Sequence, residues 1–249
     1  MKLFCPNCVK LVDVVDGPRV QCVTGSCRHE IKVRTVRFKD AREGARTCLQ
    51  NADSLAKSAE ILFGNGAREH AFFMVLTAYE EMAKCSRIVD AAAQNYSTQS
   101  DMIVEESIFR HHKAKYGIAM HYLDAWIKEM DAIRRAFPDG AAGMDVPDSE
   151  GAREEIRQQG SSMREGCLYV EYRNRWIDIP PIPEEKARLH LRMLKQLVSG
   201  FINSLASDAN WEWTISFPSR SKQDSRILTG LKGGRWQSPS WPSCQHESL

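Results

Sequence analysis

Residues 71–84 read AFFMVLTAYEEMAK, and this stretch has the largest influence on the predicted fold. Residues 71–79 are almost wholly apolar, which predicts a helix buried on several sides. Charges at the end of a buried helix need partners or belong to a functional site. Glu81 and Lys84 lie three residues apart and Glu80 and Lys84 four apart, so both carboxylates can reach one ammonium. The alternative is an ordinary solvated pair on a helix surface.

Helical periodicity continues on both sides of this stretch. Apolar residues at steps of three and four predict helices over 42–63, 101–137 and 183–205, with a short helix at 152–158. Gly64-Asn65-Gly66 ends the first of these helices. An extended hairpin over 167–180, turning at Asn174, completes the predicted elements. The fold class is therefore mainly α, with a bundle of four to five helices.

Residues 1–39 have a different pattern, in which apolar and polar residues alternate in short runs such as RVQCV and EIKVRTVRF. Period-two alternation with β-branched residues is typical of a small antiparallel sheet. We therefore predict three regions: a zinc ribbon over 1–39, the helical domain over 40–207, and a tail over 208–249. The tail is rich in Ser, Pro, Gly and Trp without periodicity, so we expect it to be poorly ordered.

Four of the eight cysteines lie within the first 27 residues. Their pattern is Cys5-x2-Cys8, thirteen residues, then Cys22-x4-Cys27, and two tight turns joined by a hairpin can deliver one pair each. Four thiolates in a tetrahedron form a closed structural Zn²⁺ site. His29 is an alternative to Cys27, and four reduced core cysteines are the alternative to a metal site. A segment with so small a core would struggle to fold without the ion.

Charge is unevenly distributed along the chain, although the net charge is only +2. Lys and Arg exceed Asp and Glu in residues 1–39, whereas the acidic residues are in excess over 40–207. Lys32 and Arg34 share one face of the last strand of the predicted ribbon. They form either a strip that contacts RNA phosphates or a solvated strand face, which is the simpler interpretation.

A second candidate site lies in the segment FRHHKAKY, residues 109–116. His112 falls on the apolar stripe of its predicted helix and points into the bundle, while Arg110, Lys113 and Lys115 surround it in sequence. Such a basic cluster suits a phosphate, so these residues are candidate RNA contacts. The alternative is a core histidine beside a solvated face. Arg164 and Tyr169 lie at the entry to the extended segment, a natural place to project side chains over the bundle.

Three motifs carry a resemblance to a known family: AYEEMAK, FRHHKAKY and REGCLYVEY. In this order and at this spacing they resemble the AbiV family of bacterial abortive-infection proteins, which belongs to the HEPN superfamily of helical domains. The resemblance covers about residues 45–205 and leaves the four-cysteine segment and the tail outside it. It implies a HEPN-like helical bundle that is prone to form a homodimer and acts in antiviral defence.

Many HEPN relatives are metal-independent ribonucleases. The resemblance therefore implies an Arg and a His, four to six residues apart, that each subunit brings to a cleft at the dimer interface. A base there activates the ribose 2′-hydroxyl and a cation stabilises the phosphorane. The candidate catalytic residues are Glu81, Lys84, His112, Arg164 and Tyr169. From the apolar residues 71–79 and the inward position of His112, we expect Glu81, Lys84 and His112 to form one buried polar cluster.

This sequence departs from that catalytic pattern, because no Arg is followed by His at the required spacing. The nearest equivalent is Arg164-x4-Tyr169, and a tyrosine with a pKa of about 10 is a poor base at neutral pH. His112 supplies the missing imidazole only if the bundle brings it close to Arg164. Ribonuclease activity is therefore left open.

Two functions remain in competition. The first is an abortive-infection effector that acts on RNA and halts translation; the second is a non-catalytic HEPN module that dimerises and binds RNA or a phage protein. The acidic balance of residues 40–207 gives no support to a third, a DNA-binding transcription factor. No apolar run approaches the roughly 18 residues of a membrane span, and the first residues lack a signal-peptide core, so we expect a cytoplasmic protein without membrane contact.

Overall fold

The computed structural model describes residues 2–8, 10–13, 20–22, 24–95, 97–136, 150–167, 171–172, 176–177 and 181–206. All of them belong to one compact unit, Met1–Phe217, and the second unit, Pro218–Leu249, contains no described residue. The predicted tail over 208–249 therefore lies outside the described residues. Within the described part, the chain is mainly helical, which confirms the predicted fold class.

Helices form most of the unit. They are α1 (Phe38–Gly64), α2 (Arg68–Gln94), α3 (Ser107–Arg110), α4 (His112–Ala136), α5 (Glu150–Gly166) and α6 (Glu184–Ala206). The strands are β1 (Lys2–Cys5), β2 (Lys10–Asp13), β3 (Val33–Val36), β4 (Met102–Glu105), β5 (Glu171–Tyr172) and β6 (Trp176–Ile177). Among these described elements, β1 pairs with β2, β3 with β4 and β5 with β6, each time antiparallel.

Close packing between α1 and α2 follows from a stripe of small residues on α1. Alanines 41, 45, 52, 56 and 59, together with Leu49, are buried and recur at helical spacing. Side chains this small let the two helix backbones approach each other. The first helix ends where the glycines predict, since Gly66 has a φ of +78° and its N–H donates to the Phe63 carbonyl at 3.0 Å.

The central element is α2, which is buried over most of its length as its apolar sequence predicts. It contacts α1, α4, α5 and α6, and its residues Phe72, Leu76 and Met82 are fully enclosed. A helix in this position has almost no solvent-facing side on which to place a charge. Its charged residues therefore determine where polar sites form in this protein.

The predicted helix over 101–137 is wrong at its beginning. Residues 102–105 form strand β4, in which Met102 and Val104 are buried and Ile103 between them is exposed. This alternation has a period of two and belongs to a strand. After the short α3, His111 adopts an extended conformation with φ −111° and ψ 110°, and the long helix α4 starts only at His112.

Helix α5 is longer than predicted, because it runs from Glu150 to Gly166 instead of 152–158. Arg164 therefore projects from a helix and not from the entry to an extended segment. The sequence of α5 is strongly polar, so few apolar residues mark the face that packs on the bundle. The extended hairpin is observed as β5 and β6, and the residues between them lie outside the described part.

The four-cysteine segment folds around β1 and β2, with an isolated bridge between Gln21 and Glu30. The predicted third strand of its sheet does not join it. Instead, β3 pairs with β4 of the helical region over four residue pairs. The boundary predicted at residue 39 stays a prediction, but the contacts across it are extensive.

Strand β1 belongs to two cores at once. Leu3 and Cys5 face a small core with Cys22 and Ile31, whereas Phe4 is fully buried in the core of the helical bundle. Neighbouring residues of a strand point to opposite faces, which explains this division. The ring of Phe4 meets the His121 ring of α4 edge-on, with 5.6 Å between the centroids.

A buried ion pair joins these parts. Arg87 of α2 and Glu105 of β4 are both fully buried, and the guanidinium donates to both carboxylate oxygens, at 2.7 and 3.0 Å. Arg87 also donates to Asp90 at 2.5 Å and to the Lys2 carbonyl of β1 at 3.2 Å. Because β4 pairs with β3, this one guanidinium links β1 and β3, two of the three described strands of the N-terminal segment, to α2.

None of the helices that the structure describes combines the length and the apolar character needed to cross a membrane.

We predict that Glu105→Ala strongly destabilises the protein, because it leaves the Arg87 guanidinium buried without its main counter-charge. Breaking such a pair costs about 3–5 kcal/mol of unfolding free energy, measurable by urea denaturation. Glu60→Ala is the matched control, since Glu60 pairs with Lys195 on the surface at 2.8 Å. That substitution should cost less than about 1 kcal/mol. Equal losses in both variants would contradict a special role for Arg87.

Candidate functional site

A buried carboxylate on α2 lies at the centre of the candidate site. Glu80 is only 4% exposed although it follows the apolar run of the helix directly. Its neighbours come from α4 and α5, which pack over this part of α2. A carboxylate in such a place must receive hydrogen bonds or charges from the protein.

Four side chains converge on Glu80. Its Oε1 accepts from His112 Nδ1 at 2.7 Å and from the Tyr116 hydroxyl at 2.8 Å, and its Oε2 accepts from Lys115 Nζ at 3.0 Å. Arg164 Nε of α5 lies 3.4 Å from the same Oε1. We call these five residues the Glu80 cluster. It carries two permanent positive charges, on Lys115 and Arg164, against one negative charge.

The pKa of Glu80 reflects two opposing effects. Burial by itself raises the pKa, but the Lys115 ammonium, with hydrogen bonds from Lys115 and Tyr116, lowers it below its ordinary value of 4.5. Glu80 is therefore ionised at neutral pH. Burial, followed by the charge of Glu80, raises the pKa of Tyr116 far above its ordinary range, so the phenol stays a neutral donor.

The proton on His112 can be placed from these contacts. An ionised carboxylate only accepts hydrogen bonds, so Nδ1 of His112 must donate to Glu80. In the neutral imidazole, Nε2 is then the atom with a free lone pair. The side chain of His112 is 38% exposed, unlike Glu80 and Lys115, which are enclosed. The histidine thus forms the accessible edge of the cluster.

Arg164 forms the second accessible edge. Its guanidinium carbon lies 5.1 Å from the centre of the Phe73 ring, and the side chain is 24% exposed. Its Nε makes no hydrogen bond with suitable geometry, despite the short distance to Glu80. The charge is therefore held between a carboxylate and an aromatic face, in a side chain that remains partly exposed.

The structure brings some of the predicted catalytic residues together and separates others. His112 and Arg164 share Glu80, which meets the condition that the sequence left open. Glu81 and Lys84 instead pair with each other at 2.5 Å, and our prediction that they form one cluster with His112 is wrong. Tyr169 lies outside the described residues, so its role stays a prediction.

The sequence prediction names Glu81 and leaves out Tyr116, whereas in the structure Glu80 and Tyr116 are the residues that meet His112. The feature of the sequence that indicates this site lies on α4. There His112, Lys115 and Tyr116 have the spacing i, i+3, i+4 and therefore share one face of the helix. Two donors and a histidine on one inward face require a buried acceptor. Only the packing of α4 on α2 shows that Glu80, and not Glu81, points to this face.

The candidate RNA contacts divide into two groups. Lys115 is buried against Glu80, so we assign it to the cluster and not to a surface. Arg110 and Arg34 both lie near Glu106, at 2.9 and 3.8 Å, and Arg34 stacks over the Phe109 ring at 5.1 Å. Lys32 and Lys113 are exposed. Arg34 of β3 and Arg110 of α3 thus meet in one surface region around Glu106.

The four N-terminal cysteines form a second candidate site. The sulfur atoms of Cys5, Cys8, Cys22 and Cys27 all lie within 4.8 Å of one another. Two of the separations are 3.8 Å, for Cys5 and Cys27, and 3.6 Å, for Cys8 and Cys22. His29 is exposed and does not belong to this group.

This arrangement fits a metal ion. A tetrahedral site with sulfur ligands at about 2.3 Å from the metal has sulfur atoms about 3.8 Å apart, close to the separations found here. Burial, with repulsion from the neighbouring sulfurs of Cys22 and Cys5, raises the pKa of Cys8 to about 12. A divalent cation removes that repulsion and favours deprotonation of the thiols.

The protein is therefore a helical bundle that has a buried polar cluster on its central helix and carries a four-cysteine segment at its N-terminal end. The family model with the description AbiV, a HEPN-type family, matches residues 40–198, well over half of the chain. The chain therefore belongs to the AbiV family of HEPN domains, which supports a role in abortive infection. No curated protein and no solved structure matches the chain significantly.

We predict that Glu80 makes stability depend on acid pH. Folding lowers the pKa of Glu80 below its ordinary value of 4.5. The ionised carboxylate therefore stabilises the fold fully above pH 4.5, and this stabilisation is lost as the pH falls through the pKa of the folded state. Urea unfolding of the wild type between neutral pH and about pH 3 should show this loss. Glu80→Gln should be less stable at pH 7, because Lys115 loses its counter-charge, and should show a flatter profile. Parallel profiles would contradict the assignment.

Proposed function

We propose that this chain is an abortive-infection effector that binds RNA at the exposed side of the Glu80 cluster and cleaves it. The observation that supports this most is that His112 and Arg164, from different helices, contact the same oxygen of Glu80. The required base and cation are thus adjacent even though no Arg-x4-6-His motif is present. The imidazole comes from α4 instead.

The chemistry follows from the orientation of His112. With Nδ1 donating to Glu80, Nε2 takes the proton of a ribose 2′-hydroxyl. The 2′-oxygen forms a bond to the adjacent phosphorus, and the P–O5′ bond breaks. The products are a 2′,3′-cyclic phosphate and a 5′-hydroxyl, whose proton comes from solvent. Glu80 stabilises the imidazolium that forms.

Arg164 acts on the phosphate in this proposal. Its guanidinium stays charged at any relevant pH and can offer two parallel donors to a phosphate. Charge builds up on the phosphate oxygens in the transition state, and a fixed cation beside them lowers the barrier. The Phe73 ring and the Glu80 carboxylate both lie against the guanidinium, so a bound phosphate would find the cation already beside the cluster.

The remaining predicted contacts extend this site. We propose that Arg34, Arg110, Lys32 and Lys113 bind the RNA backbone beside the cluster, and that Tyr169 orients a ribose or stacks on a base. We also propose that the chain acts as a homodimer in the cytoplasm; membership of the AbiV family of HEPN domains supports the homodimer. In this arrangement, cleavage of cellular RNA halts translation and stops phage replication.

A second candidate function is a non-catalytic module that binds RNA or a phage protein. The observation that favours it is the enclosure of Lys115, Tyr116 and Glu80, which is also suited to a purely structural role. In that case the cluster stabilises the packing of α4 and α5 on α2, and the accessible edge serves recognition alone.

The test uses four proteins expressed in a bacterial host challenged with phage: the wild type, Arg164→Ala, His112→Ala and the control Arg188→Ala. Arg188 is an exposed arginine of α6 that pairs with Glu184 and lies over Phe63. We expect Arg164→Ala and His112→Ala to lose protection and the control to keep it. Total RNA from wild-type cells should contain fragments ending in 2′,3′-cyclic phosphate.

The outcomes separate the two functions. If His112→Ala still binds RNA but produces no fragments, the histidine acts in cleavage as proposed. Protection by the wild type without any RNA fragments would instead establish the non-catalytic module. Full protection by Arg164→Ala would show that the site lies elsewhere.

We also propose that the metal at the four cysteines is zinc, with a structural role. Four thiolates leave no coordination position for water or substrate, and zinc accepts this tetrahedral sulfur set readily. Native mass spectrometry should find one zinc per chain, lost in the double variant Cys5→Ser/Cys22→Ser and retained in the control Cys48→Ser. A metal-free wild type that remains fully folded would contradict the proposal.

A further inference from the structure

Helix α5 is attached to the bundle mainly through charged side chains. Of its 17 residues, Arg153, Ile156 and Gly160 are buried. Met163 adds a partly buried contact with the core. A helix with so few apolar anchors depends on its ion pairs for its position, because apolar contacts allow small shifts that directed hydrogen bonds do not.

One carboxylate of α4 makes two of these ion pairs, and Lys186 of α6 makes another with Glu155 at 2.7 Å. Asp124 accepts from Arg153 Nε at 2.5 Å through Oδ1 and from Arg157 Nη2 at 2.6 Å through Oδ2. The Arg153 side chain is only 9% exposed. The two arginines are one helical turn apart, so the two oxygens of Asp124 set both the position of α5 along its axis and its rotation about that axis.

The same helix carries Arg164 to the Glu80 cluster. Arg164 follows Arg153 by three helical turns, or about 16 Å along the helix axis. Nε of Arg164 has no well-directed hydrogen bond to Glu80, so its own contacts orient it weakly. Its location therefore depends on where the rest of α5 is docked.

Between these points, α5 approaches α4 very closely. A Cβ atom at Gly160 would lie 2.8 Å from a ring carbon of Tyr116, the cluster's hydroxyl donor. A small shift of α5 therefore changes the space around Tyr116 as well as the position of Arg164. The docking of this helix and the geometry of the cluster are coupled.

We propose that Asp124 is a positioning residue for the RNA site, acting through Arg153 and Arg157 to place Arg164 beside His112. This inference rests on the proposed RNA binding at the Glu80 cluster. Asp124 itself contacts no residue of the cluster. Loss of its negative charge would by general electrostatics favour RNA binding, so a loss of affinity reports the displacement of Arg164.

The experiment is a double-mutant cycle with Asp124→Asn and Arg164→Ala in the full chain. The probe is a short fluorescent single-stranded RNA with 2′-O-methyl groups, which binds but cannot be cleaved by attack of a 2′-hydroxyl. We expect Asp124→Asn to weaken binding about tenfold in the wild-type background and by less than about twofold when Arg164 is already absent. Equal losses in both backgrounds would reduce Asp124 to a general stabilising residue and overturn the proposal.

Two further variants keep the test decisive if Asp124→Asn folds poorly. Arg157→Lys keeps the positive charge but removes the second, forked nitrogen donor, so we expect a smaller loss of affinity that also vanishes without Arg164. Glu154→Gln is the matched control, since Glu154 pairs with Arg157 from the same helix and at the surface. It should leave affinity unchanged, and a loss equal to that of Asp124→Asn would contradict the assignment to Asp124.

Hydrogen–deuterium exchange separates this inference from the proposed function. Asp124→Asn should increase amide exchange in α5, including residues 161–166, while α1 and α6 keep the wild-type rates. Unchanged exchange in α5 would overturn the positioning role whether or not RNA binds. Failure of the wild type to bind RNA, with faster exchange in α5, would refute the proposed function and leave the control of α5 by Asp124 intact.

Discussion

The ion pair between Arg87 and Glu105 is the contact on which the arrangement of the other elements depends. Both side chains are fully buried. In such a pair, the attraction offsets the free-energy cost of desolvation only when the geometry is good and further hydrogen bonds are present. Here the guanidinium grips both carboxylate oxygens and also reaches Asp90 and the carbonyl of Lys2. It therefore defines where β4 and β1 lie on α2. Because β3 pairs with β4, the N-terminal segment takes its place from the same contact.

Glu80 lies two helical turns before Arg87 on the same helix. The two buried charges differ in whether their partners reach the protein surface. Arg87 is enclosed on every side, so its partners only hold the structure together. Glu80 is equally buried, but His112 and Arg164 extend from it to the surface. A fixed, ionised carboxylate that orients an accessible imidazole beside a guanidinium is a preorganised polar site. Burying the carboxylate of Glu80 in a low-dielectric interior costs free energy, but the same low dielectric strengthens the hydrogen bonds that fix its orientation.

Much of the fold could be predicted because its signals are local. The helices around residues 42–63 and 183–205 show regular apolar periodicity, and the cysteine spacing indicates a metal site without reference to the rest of the chain. The errors occurred where local signals are weak or compete. Residues 102–105 lie inside the predicted helix over 101–137 but form a strand, and the predicted helix at 152–158 is shorter than α5, in which few residues are apolar. In both places the partner element, β3 or α4, decides the conformation.

The sequence alone therefore determined the mainly helical class, the AbiV resemblance, the cysteine quartet and the candidates His112 and Arg164. It could not choose between Glu80 and Glu81, because both follow the same apolar run and both can pair with Lys84. Only the tertiary structure decided this, since the packing of α4 on α2 turns His112, Lys115 and Tyr116 toward Glu80 alone. The tertiary structure also places Arg164 beside Glu80, because α5 packs against α4 and α2. Contacts between residues 32 to 84 positions apart depend on how helices pack, and no local pattern encodes that packing.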